Sequence, residues 1–322
     1  EKIMSGKSPL YGIHAATVAP LKDDFRVDHS TLKGLIADIC SIQGIEGFLI
    51  NGHAGEHAQL SSSEKTEVIK SVCDVVSKNL YITSGVYSEN TLQAVKDAEN
   101  AEHAGADALL VFPPNGWALG QERKTILAHH RAISDATELP LLLYQAPVFA
   151  GQMAYDIGTL LELATIDSVI GVKEGSWEVA RYDANRRALK AQDPEFIVLG
   201  SGDEHLLVSY MVGSEGSQVS LATVVPEMVV ALWDAANSGE WEKAKRLHNV
   251  MYPLSTAIYG AVPGRANARL KACLKILGKL PSDLMRPPTQ PLPTEEYQTL
   301  EAALNFAREG FEKSCRPTEP EG

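Results

Sequence analysis

The sequence predicts a (β/α)8, or TIM, barrel followed by a helical C-terminal extension. Short apolar segments alternate with segments of helical spacing about eight times within the first 240 residues. The apolar segments show little polar alternation, which is typical of parallel strands that are buried on both faces. We therefore assign residues 1–240 to the barrel and residues 241–322 to an extension packed on it.

Eight apolar segments are the predicted strands. In chain order they are YGIHAATVA, GFLIN, LYITSG, DALLVF, PLLLYQ, VIGVK, FIVLG and GSQVS. The main alternative is a doubly wound open sheet, which would have fewer strands and a glycine-rich fingerprint after the first strand. The segment HAATVAPL carries no such fingerprint, so the pattern favours the closed barrel.

Capping residues indicate where several of the intervening helices begin and end. Asp28 and Asn90 each precede a helical segment, Ser61 and Glu64 have capping-box spacing, and Gly105 is a suitable helix stop. Three further helical stretches follow residue 240, and the proline-rich segment PSDLMRPPTQPLPTEE separates the last two. These three stretches form the predicted extension.

Composition and charge narrow the possible functions. The formal net charge of −12 argues against nucleic acid and anionic membranes as partners, because both require a positive surface. The four cysteines are far apart and form no C-x-x-C pair, so we expect reduced, mostly buried thiols (Cys40, Cys73, Cys273 and Cys315). No apolar run approaches the roughly 18 residues of a membrane span, and EKIMSGKSPLYG has no signal-peptide pattern. We expect a cytoplasmic enzyme or a small-molecule-binding protein.

Two residues at strand ends are candidates for catalysis, because active sites of such barrels lie at the carboxyl ends of the strands. Lys173 follows the buried segment VIGV, so desolvation should lower its pKa and free a neutral amine to attack a carbonyl. Tyr144 ends the preceding strand, where its hydroxyl could relay protons beside an imine. The alternatives are a lysine that extends to solvent and a tyrosine that fills space at the rim.

The stretch NGHAGEH, residues 51–57, has two interpretations. Its H-x-x-E-H spelling matches the zinc-ligand pattern of inverzincins, which requires a helix. Two glycines within four residues favour a turn instead, because each costs about 1 kcal/mol in a helix. In a turn, the backbone N–H groups of Ala54 and Gly55 can converge on a carboxylate oxygen. We predict an anion-binding turn and no metal site.

Three further features of the sequence can be explained by structural roles: the GSGDE motif, a histidine pair and a loop tryptophan. We expect Asp203, in GSGDE, to cap the next helix. His129 and His130 lie in the middle of a helical segment and are predicted at the surface. Trp117, on a loop, could line an entrance or fill a packing gap.

These strand ends together resemble the dihydrodipicolinate synthase / N-acetylneuraminate lyase family of Schiff-base aldolases and dehydratases. The matching segments are NGHAGE in place of G-x-x-G-E, LLLYQAP, IGVKE, LGSGDE and GSEGSQVS. The resemblance implies that Lys173 forms an imine with a 2-oxo acid and that Tyr144 moves protons. It also implies that Ala54 and Gly55 hold the substrate carboxylate through their amides.

The same resemblance carries further expectations. Gly202 and Val219 match positions that line the pocket, and the family is usually a homotetramer built as a dimer of dimers. No metal and no organic cofactor is expected, because the protonated imine is itself the electron sink.

Several residues depart from the family pattern. His53 and Ala54 replace two threonines of dihydrodipicolinate synthase, and Phe149 replaces an arginine that would bind a second carboxylate. Pro114 and Asn115 replace a tyrosine pair after the fourth strand. Lysine biosynthesis is therefore not expected, and sialic acid cleavage is disfavoured because position 54 lacks a hydroxyl. His53, a substrate-binding candidate, could supply a proton in place of the missing hydroxyls.

Two functions of such a barrel remain open from the sequence, beside the zinc hydrolase that the H-x-x-E-H spelling would require. The first is a carbon–carbon or carbon–oxygen lyase acting on a 2-oxo acid, and the pattern does not distinguish an aldolase from a dehydratase. The alternative is a non-catalytic 2-oxo-acid-binding or sensor protein on the same fold.

Overall fold

The predicted barrel is confirmed by the computed structural model, which describes residues 8–260 and 265–315. Eight parallel strands close into a barrel in chain order, and β8 pairs with β1. The strands are β1 Gly12–Ala16, β2 Ile45–Ile50, β3 Tyr81–Val86, β4 Ala108–Val111, β5 Leu141–Gln145, β6 Val169–Glu174, β7 Ile197–Gly200 and β8 Gly216–Val219. Each overlaps its predicted apolar segment.

Helices follow the strands and surround the barrel. They are α1 His29–Cys40, α2 Ser62–Cys73, α3 Thr91–Ala104, α4 Arg123–Ser134, α5 Ile157–Leu163, α6 Val179–Gln192, α7 Leu206–Val212, α8 Leu221–Val224 and α9 Pro226–Asn237. The extension contributes α10 Trp241–Tyr259, α11 Ala266–Ile276 and α12 Thr294–Cys315. Short 3-10 helices span His57–Gln59, Asn115–Leu119 and Gly151–Met153.

The caps predicted at Asp28, Ser61, Asn90 and Gly105 are confirmed. The Asp28 carboxylate accepts the Thr31 N–H at 3.1 Å, and Asn90 caps α3. Ser61 and Glu64 form a reciprocal capping box at the start of α2. Gly105 ends α3 with φ 104°, a left-handed conformation that glycine adopts without steric cost. The three side-chain N-caps fix where α1, α2 and α3 begin.

Alternate strand residues face the interior of the barrel. A buried cluster there includes Leu49, Leu142, Tyr144 and Leu199, whereas the outward residues pack against the helices in a second cluster. Because successive strand residues point to opposite faces, a residue's position in its strand decides which cluster it joins.

The extension packs on the barrel helices. Helix α10 packs against α9 and α12, and α11 contacts α8 at the barrel mouth. The predicted boundary after residue 240 falls in the connection between α9 and α10, and as a division into domains it remains a prediction. Among the described helices, none combines the length and apolar composition that a membrane span requires. The signal-peptide expectation concerns residues 1–12, of which residues 1–7 lie outside the described ranges.

Two surface predictions in α4 are wrong. His129 and His130 are buried, and their rings lie 5.3 Å and 6.4 Å from the ring of Trp117. Their spacing from the buried Ile126 and Ile133 places them on the inward face of the helix. Trp117 is itself buried, which supports the packing-gap alternative for this tryptophan.

The cysteines are less buried than expected. Cys273 is buried, but Cys40 and Cys73 are only half-buried. The side chain of Cys315 lies outside what the structure describes.

Candidate active site

Lys173 and Tyr144 lie side by side at the mouth of the barrel. They are paired across the neighbouring strands β6 and β5, so both side chains leave the same face of the sheet. Tyr144 belongs to the interior cluster, and Lys173 is also paired with Leu199 of that cluster. Both residues are buried, with 9% and 5% of their surface exposed. Neither of the non-functional alternatives, a solvent-directed lysine and a rim tyrosine, matches this burial.

The surroundings of Lys173 favour a neutral amine. Burial lowers the pKa of Lys173 to about 8, while the nearby Asp203 carboxylate partly opposes this shift. Burial raises the pKa of Tyr144, and the charges of Glu174 and Asp203 add to that effect. At neutral pH the tyrosine therefore keeps its proton, and about a tenth of the lysine is neutral, far more than for an ordinary lysine.

Asp203 does not cap the next helix, so that prediction is wrong. Helix α7 begins at Leu206, after His205, and no side chain caps it. The Asp203 carboxylate instead accepts the Leu221 N–H at 2.8 Å and the Tyr259 hydroxyl at 2.9 Å. Burial raises the pKa of Asp203, and Lys173 opposes that shift. Asp203 is thus a buried acid within electrostatic reach of the lysine.

Residues 51–56 form a turn between β2 and a short 3-10 helix, as predicted, rather than the helix that H-x-x-E-H requires. The N–H groups of Glu56 and His57 bond back to the carbonyls of His53 and Gly52, at 3.0 Å and 3.2 Å. Within the described residues, the intervening amides of positions 54 and 55 donate no hydrogen bond. Two adjacent backbone donors are therefore free to bind an anion.

His53 brings this turn against Tyr144. Its ring lies 5.0 Å from the Tyr144 ring and 4.7 Å from the Phe112 ring, although the residue remains exposed at the mouth. Crowding by protein atoms and the Lys173 charge lower the pKa of His53. The imidazole is therefore neutral at pH 7, able to donate one hydrogen bond and to accept another.

The rest of the H-x-x-E-H sequence is engaged elsewhere. His57 is buried and stacks on Tyr87, with ring centroids 4.5 Å apart and an interplanar angle of 2°. The Glu56 carboxylate is ion-paired with Lys271 of α11 at 2.5 Å. Across residues 8–260 and 265–315, no three histidine, cysteine or acidic side chains cluster in a way that could hold a metal ion.

Sequence comparison then identifies the relatives of this barrel. The sequence profile of the dihydrodipicolinate synthetase family matches residues 9–307. The chain belongs to this family.

Proteins similar to this chain are distant from it in sequence, and the solved structures among them are close to it in fold. A 4-hydroxy-tetrahydrodipicolinate synthase from Methanococcoides burtonii is 30% identical over 299 residues, 91% of this chain and 97% of the relative. The structure of the corresponding synthase from Methylacidiphilum fumariolicum has a TM-score of 0.86 and 25% identity, covering 95% of this chain and 98% of that one. A Ruminococcus gnavus sialic acid aldolase, at 24% identity and covering 95% and 99%, shares the fold with a TM-score of 0.85.

The family resemblance also suggested two further pocket positions, Gly202 and Val219. Gly202, after β7, has φ 95°, and a β-carbon there would lie 2.8 Å from the His205 ring. The Val219 side chain packs in the outer cluster, while its neighbour Gln218 bonds Thr83 inside the barrel. Val219 could therefore line the pocket only through its backbone.

The positions that depart from the family pattern are scattered around the mouth. Phe149 is 75% exposed, and Asn115 is exposed with its N–H bonded to Glu89 at 2.8 Å. The sequence did not point to Phe112, Lys271 or Asn267 as neighbours of the turn. Of these three, only Phe112 could have been identified from the sequence, because it directly follows β4 and strand ends meet at the barrel mouth.

Proposed function

We propose that this protein is a class I, Schiff-base lyase acting on a 2-oxo acid through Lys173. The single observation that carries the proposal is a buried lysine of lowered pKa, paired in register with a buried tyrosine on the next strand. Family membership supports it, because the named relatives include synthases and an aldolase.

The proposed chemistry begins with the neutral amine of Lys173. It attacks the keto carbon, and the keto oxygen leaves as water to give a protonated imine. The carbon next to the imine carbon then loses either a proton or its bond to the following carbon. The protonated imine accepts the electron pair of the broken bond and becomes an enamine. Dehydration uses the resulting enamine to expel a hydroxyl one carbon further along. Tyr144 would transfer the protons, because its hydroxyl stays protonated beside the lysine.

The free amides of Ala54 and Gly55 would hold the substrate carboxylate. Their lack of internal hydrogen bonds supports this role, since a buried, unpaired N–H is costly unless a ligand satisfies it. His53, neutral and packed on Tyr144, would occupy the place of the missing hydroxyl residues. It would act as a hydrogen-bond partner or a base rather than as a cationic acid. Gly202 and the Val219 backbone complete the proposed pocket.

We do not propose the synthase reaction of the named relatives for this chain. Phe149 cannot bind a second carboxylate as an arginine does, and Ala54 lacks a hydroxyl. Cleavage of a carbon–carbon bond and loss of a hydroxyl from a 2-keto-3-deoxy acid are both compatible with the site. A homotetramer and a cytoplasmic location remain proposals, and one structural relative is described as a monomeric variant.

The altered turn motivates one alternative, a sensor that binds a 2-oxo acid without turning it over. Binding would persist in a Lys173→Ala variant if the lysine has no covalent role. A chain that converts none of the tested substrates, and whose Lys173→Ala variant binds pyruvate as the parent does, would favour the sensor.

A substrate screen tests the proposal. The protein is incubated with pyruvate, 2-keto-3-deoxy sugar acids, 4-hydroxy-2-oxoglutarate or arylidene pyruvates. Borohydride trapping is followed by intact mass, and pyruvate release and dehydration are assayed in parallel. We expect a borohydride-dependent adduct and turnover of at least one substrate. No adduct with any 2-oxo acid contradicts the proposal.

A further inference from the structure

The Glu56–Lys271 pair is buried beside the proposed carboxylate-binding turn. The two side chains are 4% and 1% exposed, and the Lys271 amine also donates to the Leu284 carbonyl at 3.0 Å. A buried ion pair contributes little net stability compared with apolar packing of similar volume. This pair does, however, connect the turn to helix α11.

Glu56 occupies an unusual backbone conformation. Its φ and ψ are 58° and 39°, in the left-handed region that side chains other than glycine rarely adopt. It directly follows Gly55, so rotation at Glu56 would move the amide that is proposed to bind substrate. A strained residue persists when its surroundings over-determine it, and Lys271 supplies such a constraint.

A second contact from the same helix face holds the other end of the turn. The Asn267 amide donates to the His53 carbonyl at 2.6 Å. Asn267 and Lys271 are four residues apart in α11, hence on one helix face. The residues that they contact, His53 and Glu56, flank the two free amides. Arg286, further along the extension, also donates to the Gln59 carbonyl just beyond the turn.

We propose that Lys271 is a positioning residue, which acts through Glu56 to hold the Ala54 and Gly55 amides in the arrangement that binds a 2-oxo acid carboxylate. This inference rests on the proposed function. It gives the extension a direct role in substrate binding, although none of its residues is proposed to touch the reacting atoms. Loss of the contact should weaken carboxylate binding more than it slows imine chemistry at saturation.

The test compares Lys271→Met, Glu56→Gln and the double variant with the parent chain. Borohydride trapping is measured over a pyruvate series, which gives a half-saturating concentration and a maximal rate, and thermal unfolding is recorded for each variant. We expect Lys271→Met to raise the half-saturating concentration roughly tenfold or more, with a much smaller change in maximal rate.

The double variant separates positioning from stability. Removing both charges eliminates the unpaired buried carboxylate, so its unfolding temperature should recover toward that of the parent. Its half-saturating concentration should stay raised, because the turn has still lost its tie to α11. The double variant also carries the test if Lys271→Met fails to fold.

Lys275→Met is the matched control. Lys275 lies one turn further along α11 and pairs with Asp283 at 2.7 Å, with 45% of its side chain exposed. We expect its half-saturating concentration to equal that of the parent.

Three outcomes would overturn the inference. One is an unchanged half-saturating concentration in Lys271→Met, and another is full recovery of that concentration in the double variant. Either result leaves the proposed function intact if the parent forms its adduct. A parent chain that forms no adduct instead contradicts the proposed function, and the positioning role with it.

Discussion

Burial at Lys173 determines the chemistry that this residue can perform. Its pKa is lowered to about 8 because the cation is poorly solvated, and the Asp203 charge keeps it from falling further. The strand pattern predicted both Lys173 and Tyr144, since each directly follows a run of apolar residues. Asp203 could not be identified in this way, because an acid after a strand fits a helix cap equally well.

The lowered pKa of Lys173 predicts a specific pH dependence. Only the neutral amine attacks the keto carbon, so the initial trapping rate should rise about tenfold per pH unit below pH 8 and level off above it. The measurement is the rate of borohydride-trapped adduct at subsaturating pyruvate from pH 6 to pH 10. A rate still rising steeply at pH 10 would show that the amine is not perturbed.

Tyr144→Phe should separate adduct formation from turnover. The variant keeps the buried ring but loses the hydroxyl, so we expect the imine to form while turnover falls by about 10²- to 10⁴-fold. Steady-state kinetics with the substrate found in the screen, together with intact mass, checks this. Tyr11→Phe is the control, because Tyr11 directly precedes β1 at the opposite end of the barrel. Equal turnover in both variants would show that the Tyr144 hydroxyl does not transfer protons in the reaction.

Among the helices and loops, local features could be predicted and long-range contacts could not. Caps such as Asp28 depend on residues three apart in the chain, so their pattern is visible in the sequence. The Asn267–His53 contact joins residues 214 positions apart, and no periodicity encodes it. Helix α4 shows an intermediate case, because the inward spacing of His130 was visible but its polarity suggested the surface.

Loss of the α1 cap should have a measurable cost. Asp28→Ala removes the acceptor of the Thr31 N–H and hydroxyl, so we expect the free energy of unfolding to fall by about 1 kcal/mol. Chemical denaturation measures the change. Asp23→Ala, an exposed acid in the preceding loop, should leave stability nearly unchanged. Equal effects in the two variants would argue against a capping role.

At the scale of the whole molecule, buried neutral histidines occur both inside the barrel, at His14, and in the surrounding helical layer, at His130. Burial lowers the pKa of His14 and of His130 to about 4. The number and length of the strands were enough to predict barrel closure. The polar interior was not predicted, because a histidine within a strand segment does not reveal which face it occupies.

His14 should make the fold sensitive to acid. Between about pH 6.5 and pH 4 the unfolded chain binds a proton at this residue that the folded barrel excludes, so stability falls as the pH falls. The loss from this one residue is on the order of 3 kcal/mol. His14→Gln should flatten the fall of unfolding free energy over this range, whereas the exposed His103→Gln should not. An unchanged slope in His14→Gln would mean that His14 binds a proton inside the fold.

The most direct test of the central claim is to locate the trapped adduct. The protein is reduced with borohydride in the presence of pyruvate, digested, and analysed by peptide mass spectrometry alongside a Lys173→Arg variant. We expect the peptide that contains Lys173 to gain the mass of pyruvate plus two hydrogens minus water, and the variant to gain nothing. An adduct on a different lysine, or one that persists in the variant, would contradict the account.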